Sequence, residues 1–212
     1  MGDLNFRIET PRLYLSYFDP SLVSHCDFLL NLYTTPEIYK GNKGSASHIE
    51  TREDSRNSII SNSHNQAKTG YGRYIISLKP SEPQNNDSRQ FVDTKEDLEK
   101  IGIVSFKLRK HLESPRVPDV GFHLFPRYWG KGYATEAASA LIEYFEKERG
   151  QKDVVGYCSP ENEESKRMFK RLGFKERGVR PIRLNERLDA PAVHALVWTK
   201  AGMDSNLEDY GL

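Results

Sequence analysis

The segment FPRYWGKGYATEA, residues 125–137, decides the fold of this chain, because across its two glycines a strand hands over to a helix. Val117 to Phe125 is rich in strand formers and is stopped by Pro126. Ala134 to Arg149 is predicted as a helix, with Ala134, Ala137, Ala138, Leu141, Ile142 and Phe145 making one apolar stripe and Gly150 just past the last turn. A helix start placed behind a strand offers unpaired N–H groups and a positive dipole end to an anion. Gly130 and Gly132 lack Cβ atoms, so their backbone can bend sharply and bring amides against phosphate oxygens. Tyr133, Ala134 and Thr135 extend that run of donors, and Arg127 and Lys131 add positive charge.

Two better-known phosphate loops do not fit. A nucleotide loop needs Ser or Thr directly after a Gly-Lys pair, whereas Gly132 follows Lys131 and the upstream glycine is missing. A dinucleotide fingerprint needs a third glycine where Thr135 stands. A tight turn without any ligand is the other use of such a glycine pair.

Working outward, Leu13 to Phe18 is a strand ended by Asp19-Pro20, and Ser21 to Tyr33 is a helix stopped by Thr35-Pro36. A loop from Gly41 to Ser47 precedes a mostly charged surface helix from Ile49 to Ile60. Tyr71 to Leu78 and Ile101 to Leu108 are strands, separated by a polar connection whose residues 80–98 are expected to be a mobile insertion. Val154 to Cys158 is a short buried strand. Ser159-Pro160 is expected to cap and start a helix that runs to Leu172 and stops at Gly173. Val179 to Leu184 and Val193 to Thr199 are expected to close the chain as a hairpin. This order predicts an α/β (α+β) fold with a mixed, mostly antiparallel sheet and helices on both faces. One domain over residues 8–202 is expected, followed by a tail at 203–212.

The 212 residues carry 31 Lys and Arg against 30 Asp and Glu, a formal charge of +1, so no broad field draws the chain to nucleic acid or an anionic membrane. Cys26 and Cys158 lie far apart and suggest neither a disulfide framework nor a metal cluster. No run has membrane-spanning length, and a cytoplasmic protein with a small-molecule partner is the expectation.

The run from Arg127 to Ala134 resembles the Q/R-x-x-G-x-G/A acetyl-CoA signature of the GCN5-related N-acetyltransferase (GNAT) superfamily, in the wording of its RimJ/RimL-like branch. Asn162 to Ser165, followed by Phe169, Leu172, Gly173 and Phe174, resembles that branch's second signature, N-x-x-S ending in L-G-F. The similarity begins at Thr10-Pro11-Arg12-Leu13 and reaches Trp198, omitting only the polar insertion.

The resemblance implies a sheet with splayed central strands that admit the pantetheine arm of acetyl-CoA, no metal, and an amine acceptor, either a protein N-terminus or a small molecule. It implies that backbone groups of His123, Leu124 and Phe125 pair with the arm, that Gly130 to Thr135 hold the diphosphate, and that Asn162 hydrogen-bonds the arm. Helix capping suits Asn162 equally well. The implied reaction is direct attack of a neutral amine on the thioester through a tetrahedral oxyanion. Asp119 matches a strand position where several members carry a catalytic carboxylate. His123, on the same strand face as Asp119 and Gly121, is the rival base. Where many members carry a proton-donating tyrosine this chain has Phe169, which leaves Ser165, one turn earlier, to hydrogen-bond the leaving thiolate. Tyr39, His48, Arg180, Arg183 and Asp189 match acceptor-side positions. The alternatives are a catalytically lapsed acyl-CoA-binding or protein-interaction module of the same fold and, more weakly, a nucleotide enzyme. Monomer and homodimer stay equally open.

Overall fold

The computed structural model describes residues 3–41, 49–80, 90–109, 113–184, 191–203 and 206–212. Eight strands form one sheet: β1 (Arg7–Glu9), β2 (Leu13–Tyr17), β3 (Gly72–Leu78), β4 (Lys100–Lys107), β5 (Asp119–Leu124), β6 (Val155–Cys158), β7 (Lys175–Ile182) and β8 (Val193–Thr199), in the order β1-β2-β3-β4-β5-β6-β8-β7. β1 to β5 run as an antiparallel meander, and β6, β8 and β7 pair antiparallel as a second group. The groups meet in a parallel contact at a single residue pair, Asp119 opposite Val155, where the Val155 N–H donates to Pro118 O at 3.0 Å. Beyond that point β5 and β6 diverge, so the sheet opens into a slot toward Phe125.

Among the described residues there are six helices, α1 (Val23–Thr34), α2 (Pro36–Gly41), α3 (Arg52–Thr69), α4 (Phe91–Thr94), α5 (Tyr133–Arg149) and α6 (Glu163–Arg171), and both faces of the sheet are covered. The α5 stripe, Ala137, Ala138, Leu141, Ile142 and Phe145, packs in one core with Leu13, Leu15, Tyr74, Val104, Phe106 and Val120, while α6 adds Met168 and Phe169. On the opposite face Cys26, Leu29 and Leu32 of α1 and Ile59 of α3 pack on Ile75 and Ile103. Strand alternation sends Val120, Phe122 and Leu124 to the α5 side and His123 to the α1 side, where its ring lies 5.6 Å from that of Tyr33.

Several boundaries differ from expectation for local reasons. α1 stops at Thr34 as expected, and Pro36 then starts α2, because at the first helical position its missing N–H costs nothing. α3 runs on to Thr69, held by the Thr51/Asp54 capping box and a left-handed Gly70, and its second half is polar because only Ser55 and Ile59 of the helix are buried. α6 starts at Glu163 rather than Pro160: the Ser159 hydroxyl accepts from Glu161 N–H within a preceding turn, and Asn162 caps the helix through Ser165 N–H at 3.0 Å. The three-residue β1 and the four-residue α4 are additional to the expected elements, being too short to carry a period.

Residues 81–89 of the polar connection lie outside the described residues. The segment from Gln90 onward is seated on the sheet edge: Phe91 meets Tyr14 edge-on at 5.3 Å, the Arg7 guanidinium lies 4.9 Å from the Phe91 ring centre, and Lys95 is 2% exposed. The expected tail is also packed. Met203 and Leu207 are buried, and Arg116 N–H donates to Tyr210 O at 2.8 Å. Among the described residues no helix is long and apolar enough to cross a membrane.

Candidate active site

The loop after β5 makes one 3-10 turn, Pro126–Tyr128, and then reverses through Gly130 (φ +73°) and Gly132 (φ +81°) into α5. Both glycines use the left-handed region that side-chain-bearing residues avoid. A Cβ at Gly130 would find nothing within 4 Å, so its absence leaves that side of the loop open. Gly132 caps α5 without any side-chain hydrogen bond, and the first intrahelical bond of the turn is Glu136 N–H to Gly132 O at 3.0 Å. The N–H groups of Tyr133, Ala134 and Thr135 are therefore the helix's uncapped donors. Of the three, Thr135 lines an adjoining groove of about 760 Å³, which is bounded by Gly130, Lys131 and Gly132, by Glu136 and Glu143 of α5, and by Arg171 from α6.

What holds this loop is not visible in the sequence. Arg12, between β1 and β2, donates from Nε to Glu136 Oε2 at 2.7 Å, from its backbone N–H to Glu136 Oε1 at 3.0 Å, and from Nη1 to Lys131 O at 3.1 Å. Thr10 Oγ1 adds a 2.5 Å bond to Glu136 Oε1, and the Arg12 guanidinium stacks 4.5 Å from the Tyr133 ring centre. Burial tends to raise the Glu136 carboxyl, but the bonds from Thr10 and Arg12 outweigh it and hold the pKa below the ordinary value. The one acid in the first turn of α5 is thus drawn aside to Arg12 while the amides stay open. Arg127 is exposed and lies over the Phe125 and Tyr128 rings, at 5.4 and 4.8 Å, and the exposed Lys131 ammonium sits 5.5 Å from the Tyr128 ring centre.

Along the slot, register decides which backbone groups are available. Phe125 N–H donates to Ile101 O at 3.1 Å, so in the antiparallel alternation Gly121, His123 and Phe125 spend their hydrogen bonds on β4. Val120, Phe122 and Leu124 present N–H and C=O on the β6 side. Of the expected trio, His123 and Phe125 therefore face the wrong way and only Leu124 faces the slot. Phe169 is 1% exposed, edge-on to Phe122 at 6.5 Å and stacked on Trp198 at 5.6 Å, so it fills the floor beneath the splayed strands. A Cβ at Gly156 would lie 2.1 Å from Phe169 Cε1, so the absence of a side chain on β6 is what admits that ring.

At the closed end, Asp119 is neither solvated nor free. It is 4% exposed and held bidentately by Arg109, Nε to Oδ1 at 2.5 Å and Nη2 to Oδ2 at 3.0 Å, while Arg109 Nη1 donates to Leu184 O at 2.8 Å. Both oxygens are engaged by Arg109. Nearby, the buried Tyr157 hydroxyl has no hydrogen-bond partner among the described residues, and burial, then the Asp119 charge, raise its pKa. His123 is half-buried; burial, then the charges of Lys107 and Arg73, push its pKa down to about 4. Asn162 uses Oδ1 for its cap, leaving Nδ2 out of that bond, and Ser165 is half-buried one turn before Phe169. Arg180 and Arg183 lie on or just beyond β7, Arg183 bonded to Glu113 at 2.9 Å, and Tyr39 is 57% exposed. His48 and Asp189 lie outside the described residues. Among the described residues no group of three or more His, Cys, Asp or Glu is placed to hold a metal ion.

The sheet that splits into two antiparallel groups and the uncapped start of α5 together define the fold. Residues 12–175 match the family model for the acetyltransferase (GNAT) domain, and the chain belongs to that family. The uncharacterized N-acetyltransferase YnaD of Bacillus subtilis (strain 168) is 40% identical over 60 residues, 28% of this chain and 35% of that protein, so the chain spans about a third of that relative's length. Among solved structures, the RimL ribosomal L7/L12 α-N-protein acetyltransferase in complex with coenzyme A superposes with TM-score 0.63 at 18% identity, covering 92% of this chain and 97% of that one. The microcin C7 self-immunity acetyltransferase MccE, in complex with acetyl-CoA and AMP, superposes with TM-score 0.65 at 19% identity, covering 90% and 93%. At these identities the likeness is one of fold.

Proposed function

We propose that the chain is an acetyl-CoA-dependent N-acetyltransferase whose acceptor is a primary amine, either a protein N-terminus or a small molecule. The observation that carries this is the uncapped start of α5, Tyr133 to Thr135, next to a groove lined by Gly130, Lys131, Gly132 and Thr135, together with a β5 edge that pairs with β6 only at Asp119 and Val155. The residues present fit the cosubstrate: open amides and Lys131 for a diphosphate, and the free edge of β5 for an amide-bearing arm.

Acetyl-CoA supplies an activated acetyl thioester. The chain's own groups then have three tasks. Gly130 to Thr135, with Lys131 and Arg127, hold the diphosphate; the slot-facing edge of β5 and the Asn162 Nδ2 align the arm. His123 is the candidate proton acceptor, with its imidazole neutral above about pH 4, whereas Asp119 has both oxygens on Arg109 and acts by positioning. As the amine nitrogen bonds to the acetyl carbon, the carbon–sulfur bond breaks and the amine proton passes to His123 directly or through water. The departing thiolate is hydrogen-bonded by Ser165 and takes its proton from solvent, since Phe169 has none to give.

An α-amino group, with a reference pKa of about 8 against about 10.4 for lysine, is the easier acceptor at neutral pH. With His123 as base and an acceptor amine of pKa about 8, kcat/KM should fall about tenfold per pH unit below about pH 8 as the amine protonates, with no second inflection near pH 6.5, and should steepen only toward about pH 4, where His123 protonates as well. Isothermal titration with acetyl-CoA tests the cofactor assignment: high-micromolar binding or tighter is expected, and no heat there removes it. A thiol-release assay over a panel of amines tests turnover. The buried Phe169 and the clamped Asp119 favour a lapsed, acyl-CoA-binding module as the second reading, and steady CoA release with any amine would exclude it.

A further inference from the structure

Trp129 stands at the mouth of the slot. It is 48% exposed, yet its indole Nε1–H donates to Leu124 O at 2.7 Å. That carbonyl is one of the few groups along the slot whose direction is fixed by register. Leu124 lies opposite Gly102, and the neighbouring Phe125 N–H bonds to Ile101 O, so Leu124 belongs to a non-hydrogen-bonded pair and turns its own N–H and C=O away from β4. The close approach typical of such a pair is present: a Cβ on Gly102 would lie 2.8 Å from Leu124 Cα. β6 cannot take up the carbonyl, because its pairing with β5 is confined to Asp119 and Val155. A strand carbonyl beyond the end of that pairing needs a partner, and the indole N–H supplies it.

An extended ligand that adds to the open edge of β5 through secondary amides requires the same carbonyl. We propose that Trp129 is a placeholder donor: its indole holds Leu124 O in the free protein and is displaced when an amide N–H of the arm arrives. The inference rests on the acetyl-CoA assignment above and adds to it a residue-level selectivity. A ligand with the arm must move Trp129, whereas a ligand that reaches only the diphosphate cradle need not. The indole swings out about its exposed side, and Gly130, next in the chain and free of contacts at its Cβ position, gives the loop room to follow.

The test uses the full chain and two probes, coenzyme A and adenosine 3′,5′-bisphosphate, which shares the nucleotide, the 3′-phosphate and the first of the two 5′-phosphates but lacks the arm. Tryptophan emission is read alongside calorimetric binding. The second tryptophan, Trp198, is 1% exposed and supplies a constant background. Coenzyme A should shift the emission to longer wavelength as the indole is released to water, with the same midpoint as the heat, and adenosine 3′,5′-bisphosphate should bind without the shift. Trp129→Phe should abolish the shift and tighten coenzyme A binding up to about fivefold, the factor expected when one ordinary hydrogen bond no longer has to be broken, with adenosine 3′,5′-bisphosphate affinity unchanged. Coenzyme A binding with no shift, or weaker binding by Trp129→Phe, overturns the placeholder while leaving the cofactor assignment intact. If neither probe binds, the cofactor assignment itself fails and the placeholder goes with it.

Discussion

Helices α3 and α5 begin in opposite ways. At α3, Thr51 accepts from Asp54 N–H and the Asp54 carboxylate accepts from Thr51 N–H at 2.8 Å, so the first turn is closed by its own side chains. At α5, Gly132 brings no side chain, and the only first-turn acid, Glu136, is pulled away to Thr10 and Arg12. Both helices start with the same orphan donors. One satisfies them internally, and the other leaves them to the groove. A helix of this length does not omit its cap for lack of polar residues, since Thr135 and Glu136 stand within the first turn. The proposed cosubstrate site rests on this withheld cap, and it can be attacked from either side.

The largest effect is expected from Gly132→Trp. The residue sits at φ +81°, and the new side chain must enter the groove beside Arg12, whose Nη2 is 3.5 Å from the Cβ position. Acetyl-CoA affinity by calorimetry should fall by roughly a hundredfold or more, with the far-ultraviolet circular dichroism spectrum retained. Next, Arg12→Ala removes the side-chain donors to Lys131 O and Glu136 Oε2 and leaves the Glu136 charge at the start of α5 without its counterion. Affinity should drop about tenfold to a hundredfold, the range for losing charge-assisted hydrogen bonds, and the loss should grow at low salt, where the bare carboxylate repels the diphosphate most. Smallest is Thr51→Ala, which opens the α3 cap: chemical denaturation should report about 1 kcal/mol of lost stability, with acetyl-CoA affinity unchanged. If Thr51→Ala weakened binding as Arg12→Ala does, the contrast between the two helix starts would be without functional meaning.

The cradle is legible in the sequence because it is local. The apolar stripe of α5, its two glycines and the strand ahead of it are contiguous, so their periods and dihedral demands can be read residue by residue. The start of α6 is not legible in this way, because Ser159 and Asn162 are both good caps and a turn at Ser159 to Glu161 decides between them. The bracing of the site is hidden by distance: Arg12 reaches Glu136 across 124 positions, and its only trace is that the family resemblance begins at Thr10 to Leu13. Asp119 reads as a free base because strand composition does not show that Arg109, just past the end of β4 where Lys107 pairs with Asp119, folds back onto it. The facing of His123 and Phe125 toward β4 is a matter of sheet register, which strand composition does not encode.

The central claim is that the amides of Tyr133, Ala134 and Thr135 are the diphosphate's ligands. Titration of the 15N-labelled chain with coenzyme A, followed by amide chemical shifts, addresses those three groups one by one. The account predicts that their resonances move downfield in step with calorimetric saturation, while those of Arg52, Glu53 and Asp54 at the capped start of α3 stay in place. Saturation of binding with the α5 amides unmoved would contradict it.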